Sequence, residues 1–195
     1  EAGVVGLGGA AFPTHFKLRV PAGKSVDTLV VNGCECEPFL TSDHRLMVER
    51  AGDVVRGAEI AAAQLGVAET VFGVELNKAD AIAALERAID GRAAMRVVPL
   101  AVKYPQGAEK MLIRAVYGVE VPSGKLPLDV GMLVNNVATM TAVADWFDRR
   151  RPLVERVVTV SGPGVRRPAN LLVPVGTPVR AVLDRLLADE GPHAR

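Results

Sequence analysis

Apolar residues recur along this chain in two patterns, short continuous runs and helical spacing, which predict strands that alternate with helices. Short apolar runs predict three buried strands, at residues 28–31, 70–74 and 95–102. Apolar residues at helical spacing predict four helices, at residues 46–65, 79–89, 108–116 and 138–147. Alternating strands and helices are typical of the α/β class. We therefore expect a Rossmann-like layered domain with a largely parallel sheet.

The pattern changes after about residue 152. Two apolar strands, at 157–160 and 171–175, flank the turn Gly162-Pro163-Gly164, and a helix is predicted over 178–187. Strand, turn, strand and helix in this order begin a small β-grasp-like unit. The chain is therefore predicted to hold two domains, an α/β domain over 1–151 and a β-grasp segment over 152–195 that is too short to complete a large unit.

Composition excludes several classes of protein. Of the 195 residues, 49% are hydrophobic and 23% are charged, as in an ordinary globular protein rather than a disordered, collagen-like or coiled-coil chain. The longest apolar runs fall far short of the roughly 20 residues that a membrane-spanning helix needs. The net charge of +1 gives no electrostatic reason to expect a nucleic-acid partner. We expect neither nucleic-acid binding nor direct membrane insertion.

Cys34 and Cys36 are the only cysteines, and their spacing is too tight for an ordinary structural disulfide. A reducing compartment is the expected setting. Two thiolates cannot ligate an ordinary iron–sulfur cluster, and no Cys/His spacing builds a zinc site. No metal site is predicted in this chain.

Four segments carry polar or glycine-rich patterns that suit ligand binding. In the first, Gly6, Gly8 and Gly9 allow successive N–H groups to converge on a phosphate, and Lys17 adds a positive charge. The segment lacks the Gly-Lys-Ser/Thr ending of a nucleotide-hydrolysing loop. A simple turn is the alternative interpretation.

The second segment, Asn-Gly-Cys-Glu-Cys-Glu-Pro at 32–38, follows a predicted strand at the edge of the sheet where ligands bind in open α/β folds. The third, Lys-Tyr-Pro-Gln-Gly-Ala-Glu-Lys at 103–110, also lies between a strand and a helix. Tyr104 can stack on a planar ring, and Glu109 falls in the first helical turn. For the second segment, the alternative is a solvated loop. For the third, the alternative is that Glu109 only stabilises the helix, because a carboxylate in the first turn interacts favourably with the helix dipole.

The fourth segment supplies adjacent amides at Asn135 and Asn136, with Thr139 one turn later. These side chains offer several hydrogen-bond donors and acceptors within a short stretch. A helix N-cap explains the asparagines almost as well.

In this order and spacing the four segments resemble one family. The sequences that carry the resemblance are Gly-Leu-Gly-Gly-Ala-Ala-Phe-Pro-Thr at 6–14, the segments quoted above at 32–38 and 103–110, and Val-Asn-Asn-Val at 134–137. The family comprises the flavoprotein subunit of respiratory complex I, the RnfC subunit of the Rnf electron-transport complex and the cobalamin reductase PduS. The second and third segments are more similar to the RnfC and PduS branch. The likeness covers residues 1 to about 151, and the tail resembles the start of the β-grasp (SLBB) domain.

The resemblance implies noncovalently bound FMN, with NADH stacked over the flavin. The FMN residues would be Gly6, Gly8, Gly9, Lys17, Asn32, Glu35, Asn135, Asn136 and Thr139. The NADH residues would be Phe12, Glu37, Tyr104 and Glu109. Hydride transfer would then need positioned rings rather than a catalytic side chain.

The resemblance also implies the partners and the location. Electrons would pass to iron–sulfur centres in a cysteine-rich segment outside this chain or in another subunit of an electron-transport complex. That complex would place the chain in the cytoplasm, peripherally on the cytoplasmic face of the inner membrane. The first residue, Glu1, and the ending Gly-Pro-His-Ala-Arg favour a fragment of a longer protein.

Four positions depart from the complex I pattern. Leu7 replaces an arginine, Ala11 a glycine, Cys34 an aspartate or alanine, and Ala108 the first of two glutamates. Leu7, Ala11 and Ala108 keep open a docking module of the same fold without flavin. The similarity to the PduS branch keeps open a second alternative, a corrinoid reductase of the PduS type.

Overall fold

The computed structural model describes residues 2–187. Glu1 and the ending Gly-Pro-His-Ala-Arg, on which the expectation of a fragment rests, lie outside the described residues. The helices are α1 (Thr14–Lys17), α2 (Ser42–Glu49), α3 (Ala51–Leu65), α4 (Ala79–Ala88), α5 (Glu109–Tyr117), α6 (Val137–Arg149) and α7 (Val179–Leu187). The strands are β1 (Thr28–Gly33), β2 (Glu69–Glu75), β3 (Met95–Leu100), β4 (Met132–Asn136), β5 (Glu155–Val160) and β6 (Ala169–Pro174). A short 3-10 helix covers Pro127–Val130. Within residues 2–187 no helix is long and apolar enough to cross a membrane.

Contacts within the chain divide it into two compact units. The first unit comprises the chain up to Glu37 together with Asp43–Leu153, and the second comprises Pro38–Ser42 and the chain from Val154 onward. The sequence predicted a boundary near residue 151 and gave no sign that 38–42 belongs with the later segment.

A four-stranded sheet in the order β3-β2-β1-β4 forms the centre of the first unit, and every pairing in it is parallel. This confirms the predicted α/β class with a parallel sheet. Side chains on β1 alternate between two apolar layers: Val31 packs with the residues of α3 and α6, whereas Val30 packs with Leu112 and Ile113 of α5. Burial on both faces explains why the strands read as continuous apolar runs.

Two elements of the first unit differ from the sequence prediction. The predicted helix over 46–65 is two helices, because Arg50 leaves the helical conformation with a φ of −131° and a ψ of 32°. The Arg50 guanidinium donates to the carboxylates of Asp53 and Asp145, which ties the break to α6. Strand β4 was not predicted, since its five residues include Asn135 and Asn136 and lead without a turn signal into α6, which Asn136 caps.

The second unit contains an antiparallel pair, β5 with β6, followed by α7. This is the order of elements that the sequence predicts for this region. The segment 38–42 joins the unit through Thr41, whose N–H donates to Thr159 Oγ1 at 3.2 Å and whose carbonyl accepts from Asn170 Nδ2 at 3.2 Å.

The strand order creates a switch point between β1 and β4. The chain leaves β1 for β2 and β3 on one side, whereas β4 pairs with β1 on the other. Helices that connect the strands diverge at such a point, and the carboxyl ends of the two strands open a crevice in which ligands bind in open α/β folds.

Candidate functional site

The asparagines at the ends of β1 and β4 flank the switch point. Asn32 is paired in register with Asn136, one on each strand. The predicted second segment continues from β1, and the predicted fourth segment runs from β4 into α6. The fold therefore brings these two segments to the same edge of the sheet.

The glycine loop forms the tip of a short hairpin. Val5 and Pro13 make an antiparallel bridge, and the Gly6 N–H donates to the Phe12 carbonyl at 2.8 Å. At the tip, the Leu7 N–H donates to Thr139 Oγ1 at 2.9 Å. This bond holds the loop against the first turn of α6.

Gly8 lies at a close approach between the loop and the helix. A Cβ on Gly8 would lie 3.0 Å from the Cβ of Asn136, closer than side chains normally approach. Gly9 has a φ of 136° and Ala11 a φ of 51°, and both values lie in the region that favours glycine. The alanine that departs from the family pattern thus occupies a strained backbone position.

Asn136 is the N-cap of α6, as the alternative interpretation of the fourth segment proposed. Its Oδ1 accepts from the N–H groups of Ala138 and Thr139 at 2.8 and 3.3 Å. Its Nδ2 donates to Asp43 Oδ2 at 2.6 Å. Both ends of this amide are therefore engaged within the protein.

Asn135 differs from its neighbour in having a buried donor to spare. Its side chain is only 4% exposed, and its Nδ2 has no hydrogen-bond partner among the described residues. A buried amide without a partner costs about 1–3 kcal/mol. A ligand or a rearrangement that supplies an acceptor would recover this energy.

The second and third segments are joined at Gly107. Its carbonyl accepts from Asn32 Nδ2 at 2.8 Å, and its N–H points to the sulfur of Cys36 at 3.4 Å. A Cβ at this position would lie 2.5 Å from the Cys34 carbonyl oxygen. Only glycine lets the loop before α5 sit this close to the end of β1.

Glu35 is buried, with 8% of its surface exposed, and its carboxylate caps α2. Oε1 accepts from the Asp43 N–H at 2.8 Å and Oε2 from the His44 N–H at 3.0 Å. The predicted flavin ligand thus has a structural use that the sequence did not reveal, and its contact with flavin stays a prediction.

A buried polar cluster lies behind this segment. Lys78 Nζ donates to Glu75 Oε2 at 2.8 Å and to the Glu35 carbonyl at 3.3 Å. Burial, with a smaller contribution from the Glu75 charge, raises the pKa of the Cys34 thiol to about 12. Cys34 therefore behaves as a small buried residue rather than as a reactive thiol.

The third segment meets the first through an ion pair. Lys17 Nζ lies 2.6 Å from Glu109 Oε1, in the first turn of α5. The resemblance assigns Lys17 to FMN and Glu109 to NADH, so each group here neutralises the other.

Two exposed aromatic rings border this region. Phe12 is 54% exposed and Tyr104 is 67% exposed. The Tyr104 hydroxyl donates to Glu37 Oε1 at 3.3 Å, and the charge of Glu37 raises the pKa of Tyr104. Both rings leave faces on which a planar ligand can stack.

The contacts described above link all four predicted segments at the carboxyl edge of one sheet. Asp43, Glu75 and Lys78 are polar residues of this region that the sequence analysis missed. Glu75 and Lys78 do follow a buried strand, which is the position from which ligand-binding residues are usually drawn. Asp43 carries no comparable signal.

A cavity of about 700 Å³ lies elsewhere in the first unit, lined by residues of α1, α3 and α6 that include Thr14, Ile60 and Trp146. None of the residues predicted to hold FMN or NADH lines it. His15 is exposed in α1, where the sequence analysis placed it as a surface residue at a helix start.

Comparison with known proteins gives concordant results. Residues 1–145 match the family described as Nuo51 FMN-binding domain. The C subunit of the proton-translocating ferredoxin:NAD(+) oxidoreductase complex of Clostridium ljungdahlii is 49% identical over 94% of this chain and 40% of its own length. The C subunit of the Na(+)-translocating complex of Acetobacterium woodii is 48% identical over 95% of this chain and 42% of its own length.

A third relative, the C subunit of the ion-translocating oxidoreductase complex of Rhodobacter capsulatus, is 45% identical over 93% of this chain and 35% of its own length. Among solved structures, an NAD+-reducing NiFe-hydrogenase in the air-oxidized state superposes with a TM-score of 0.79 and 26% identity, over 95% of this chain and 37% of that one. The chain thus spans between 35% and 42% of the length of these relatives.

Proposed function

Because this chain belongs to the Nuo51 FMN-binding domain family, we propose that it binds FMN at the switch point between β1 and β4. In this proposal it serves as the NADH-oxidising flavin domain of an Rnf-type electron-transfer complex. The observation that carries the proposal is the glycine loop, which the Leu7–Thr139 hydrogen bond seats on the N-terminus of α6. Backbone N–H groups at a helix N-terminus favour bound phosphate.

The residues of this edge fit FMN in three respects. Gly8 has no side chain where the backbone meets Asn136, so main-chain atoms border the predicted phosphate position. Asn135 holds a buried donor that lacks a protein acceptor among the described residues. Lys17 places an ammonium group at the same edge, where Glu109 holds it in an ion pair.

The structure divides the proposed FMN residues into two groups by their present contacts. Asn32, Glu35, Asn136 and Thr139 already make hydrogen bonds that shape the site, so they would position the backbone around the cofactor. Gly8, Gly9 and Asn135 would supply N–H groups, and Gly6, whose N–H donates to the Phe12 carbonyl, would hold the loop backbone in place. Lys17, which is paired with Glu109, would share its positive charge with the cofactor. If bound, FMN would accept a hydride from NADH, which leaves as NAD+, and would pass on the two electrons one at a time while the proton is released to solvent.

The nucleotide would lie on the side of Phe12, Glu37, Tyr104 and Glu109. The exposed rings of Phe12 and Tyr104 offer stacking surfaces, and the two carboxylates offer acceptors for ribose hydroxyl or carboxamide N–H groups. Ion pairing with Lys17 holds Glu109 at the mouth of the site. These contacts orient the nicotinamide, which is the main demand of hydride transfer between two rings.

The electron acceptor would be iron–sulfur centres in the rest of the polypeptide or in other subunits. Each of the three relatives is the C subunit of a ferredoxin:NAD(+) or ion-translocating oxidoreductase complex. Their names favour this role over corrinoid reduction. Association with such a complex would place the chain peripherally at a membrane.

An FMN titration of the flavin-free chain, followed by anaerobic addition of NADH, tests the proposal. We expect saturable quenching of flavin fluorescence and bleaching of flavin absorbance by NADH. Asn136→Asp, which places a negative charge at the cap of α6, should weaken FMN binding strongly. Absence of FMN binding in protein that melts cooperatively would overturn the proposal and favour a flavin-free docking module. FMN binding without bleaching would overturn the NADH part alone.

A further inference from the structure

Asp43, in the first turn of α2, was not among the predicted site residues, yet its carboxylate binds the N-cap of α6. We propose that Asp43 is a positioning residue for the flavin phosphate, acting through Asn136. This inference rests on the proposed FMN site and adds to it a residue that does not itself contact the cofactor.

The first step of the argument is the orientation of the Asn136 amide. Its two ends differ, since Oδ1 only accepts and Nδ2 only donates. Asp43 Oδ2 lies 2.6 Å from Nδ2, and an ionised carboxylate can only accept. The flipped amide would set oxygen against oxygen, so Asp43 holds Oδ1 towards the N–H groups of Ala138 and Thr139.

The second step leads from Asn136 to the glycine loop. The Cβ position of Gly8 falls 3.0 Å from Asn136 Cβ and 3.5 Å from its Nδ2. The loop backbone therefore rests directly on the side chain that Asp43 orients. A rotated amide would displace the loop at the point proposed to face the phosphate.

The third step concerns what holds Asp43 itself. Its N–H donates to Glu35 Oε1 at 2.8 Å, and the carboxylate of Glu35 also caps His44. Because Glu35 is buried next to β1, the start of α2 is fixed to the sheet. Asp43 thus connects the end of β1 to the N-terminus of α6.

Charge and positioning predict opposite effects at this residue. A carboxylate near a bound phosphate dianion repels it, so loss of the charge alone should tighten FMN binding. Loss of the hydrogen bond should weaken it, because the amide and the loop become free to move. The sign of the change in affinity therefore distinguishes the two roles.

The experiment compares FMN with riboflavin, which lacks the phosphate, in the wild-type chain, Asp43→Ala and Asp43→Asn. We expect Asp43→Ala to weaken FMN binding about tenfold, the lower end of what a hydrogen bond to a charged group contributes. Riboflavin, titrated to its solubility limit, should bind the wild type and Asp43→Ala equally. Asp43→Asn keeps an acceptor oxygen in place and should bind FMN at least as tightly as the wild type.

Asp80→Ala is the matched control, because Asp80 is also a first-turn aspartate and contacts His44 but not Asn136. Its FMN affinity should equal that of the wild type. If Asp43→Ala does not melt cooperatively, Asp43→Ser, whose hydroxyl is too short to reach Asn136, replaces it with the same expected ratio.

Three results would overturn the inference while leaving FMN binding intact: unchanged FMN affinity in Asp43→Ala, equal losses for FMN and riboflavin, or an equal loss in Asp43→Asn. Failure of the wild type to bind FMN would overturn the proposed function and this inference together.

Discussion

The close crossing of α3 and α6 depends on one glycine, and its replacement tests both the packing and the proposed site. Gly57 of α3 lies against the backbone of Met140 in α6. A Cβ added at Gly57 would fall 2.5 Å from the carbonyl carbon of Met140 and 3.0 Å from its Cα, and closer still to the carbonyl oxygen. These are main-chain atoms that cannot rotate away, so the two helices must separate.

Gly57→Ala should therefore destabilise the first unit by about 3 kcal/mol, the upper end of ordinary overpacking. Gly52→Ala is the matched control in the same helix, since nothing lies within 4 Å of its Cβ position. That substitution should be neutral or should stabilise the unit by up to about 1 kcal/mol, because alanine loses less backbone entropy in a helix.

Urea unfolding, followed by the fluorescence of Trp146, measures these changes in the free energy of unfolding. Trp146 is the only tryptophan in the sequence and lies on α6. FMN titration of the same variants adds a functional reading, since a shifted α6 also moves Asn136 and Thr139. We expect Gly57→Ala to lose FMN affinity and Gly52→Ala to keep it. A Gly57→Ala midpoint equal to the wild type, or an equal fall in both variants, would refute the close backbone contact.

Three other predictions follow from the site. Lys17→Ala should weaken FMN retention far more than His15→Ala in fluorescence titrations, and equal effects would contradict the assignment of Lys17. Glu109→Gln should lower nucleotide affinity while FMN stays bound, because it removes a carboxylate proposed to face the nucleotide and leaves Lys17, its ion-pair partner, charged; loss of flavin would place Glu109 against the flavin instead. The pKa of Cys34, at about 12, keeps its thiol protonated near neutral pH, and iodoacetamide reacts with thiolate. Mass spectrometry should therefore find label at Cys36 and not at Cys34 in the native chain, and labelling of Cys34 before unfolding would disprove its burial.

Local patterns in the sequence account for most of the first unit. The parallel strands β1, β2 and β3 and the helices α4, α5 and α6 lie where the apolar spacing predicts them, because burial on the faces of the sheet imposes that spacing. The family resemblance of the four motif segments is confirmed by the match over residues 1–145. The break at Arg50 escaped prediction, and Asp145, one of the two carboxylates that its guanidinium binds, lies on another helix, where no local pattern reveals it.

Local sequence patterns were enough to predict the α/β class, the family and the edge of the sheet where chemistry is expected, because glycines, asparagines and apolar periodicity are recognised within a few residues. The hydrogen bonds and ion pairs among the polar groups at that edge, in contrast, became visible only in the folded chain. Lys17 meets Glu109 across 92 positions, and Asn136 meets Asp43 across 93. Whether two such distant residues meet depends on the tertiary fold, which no local sequence pattern specifies.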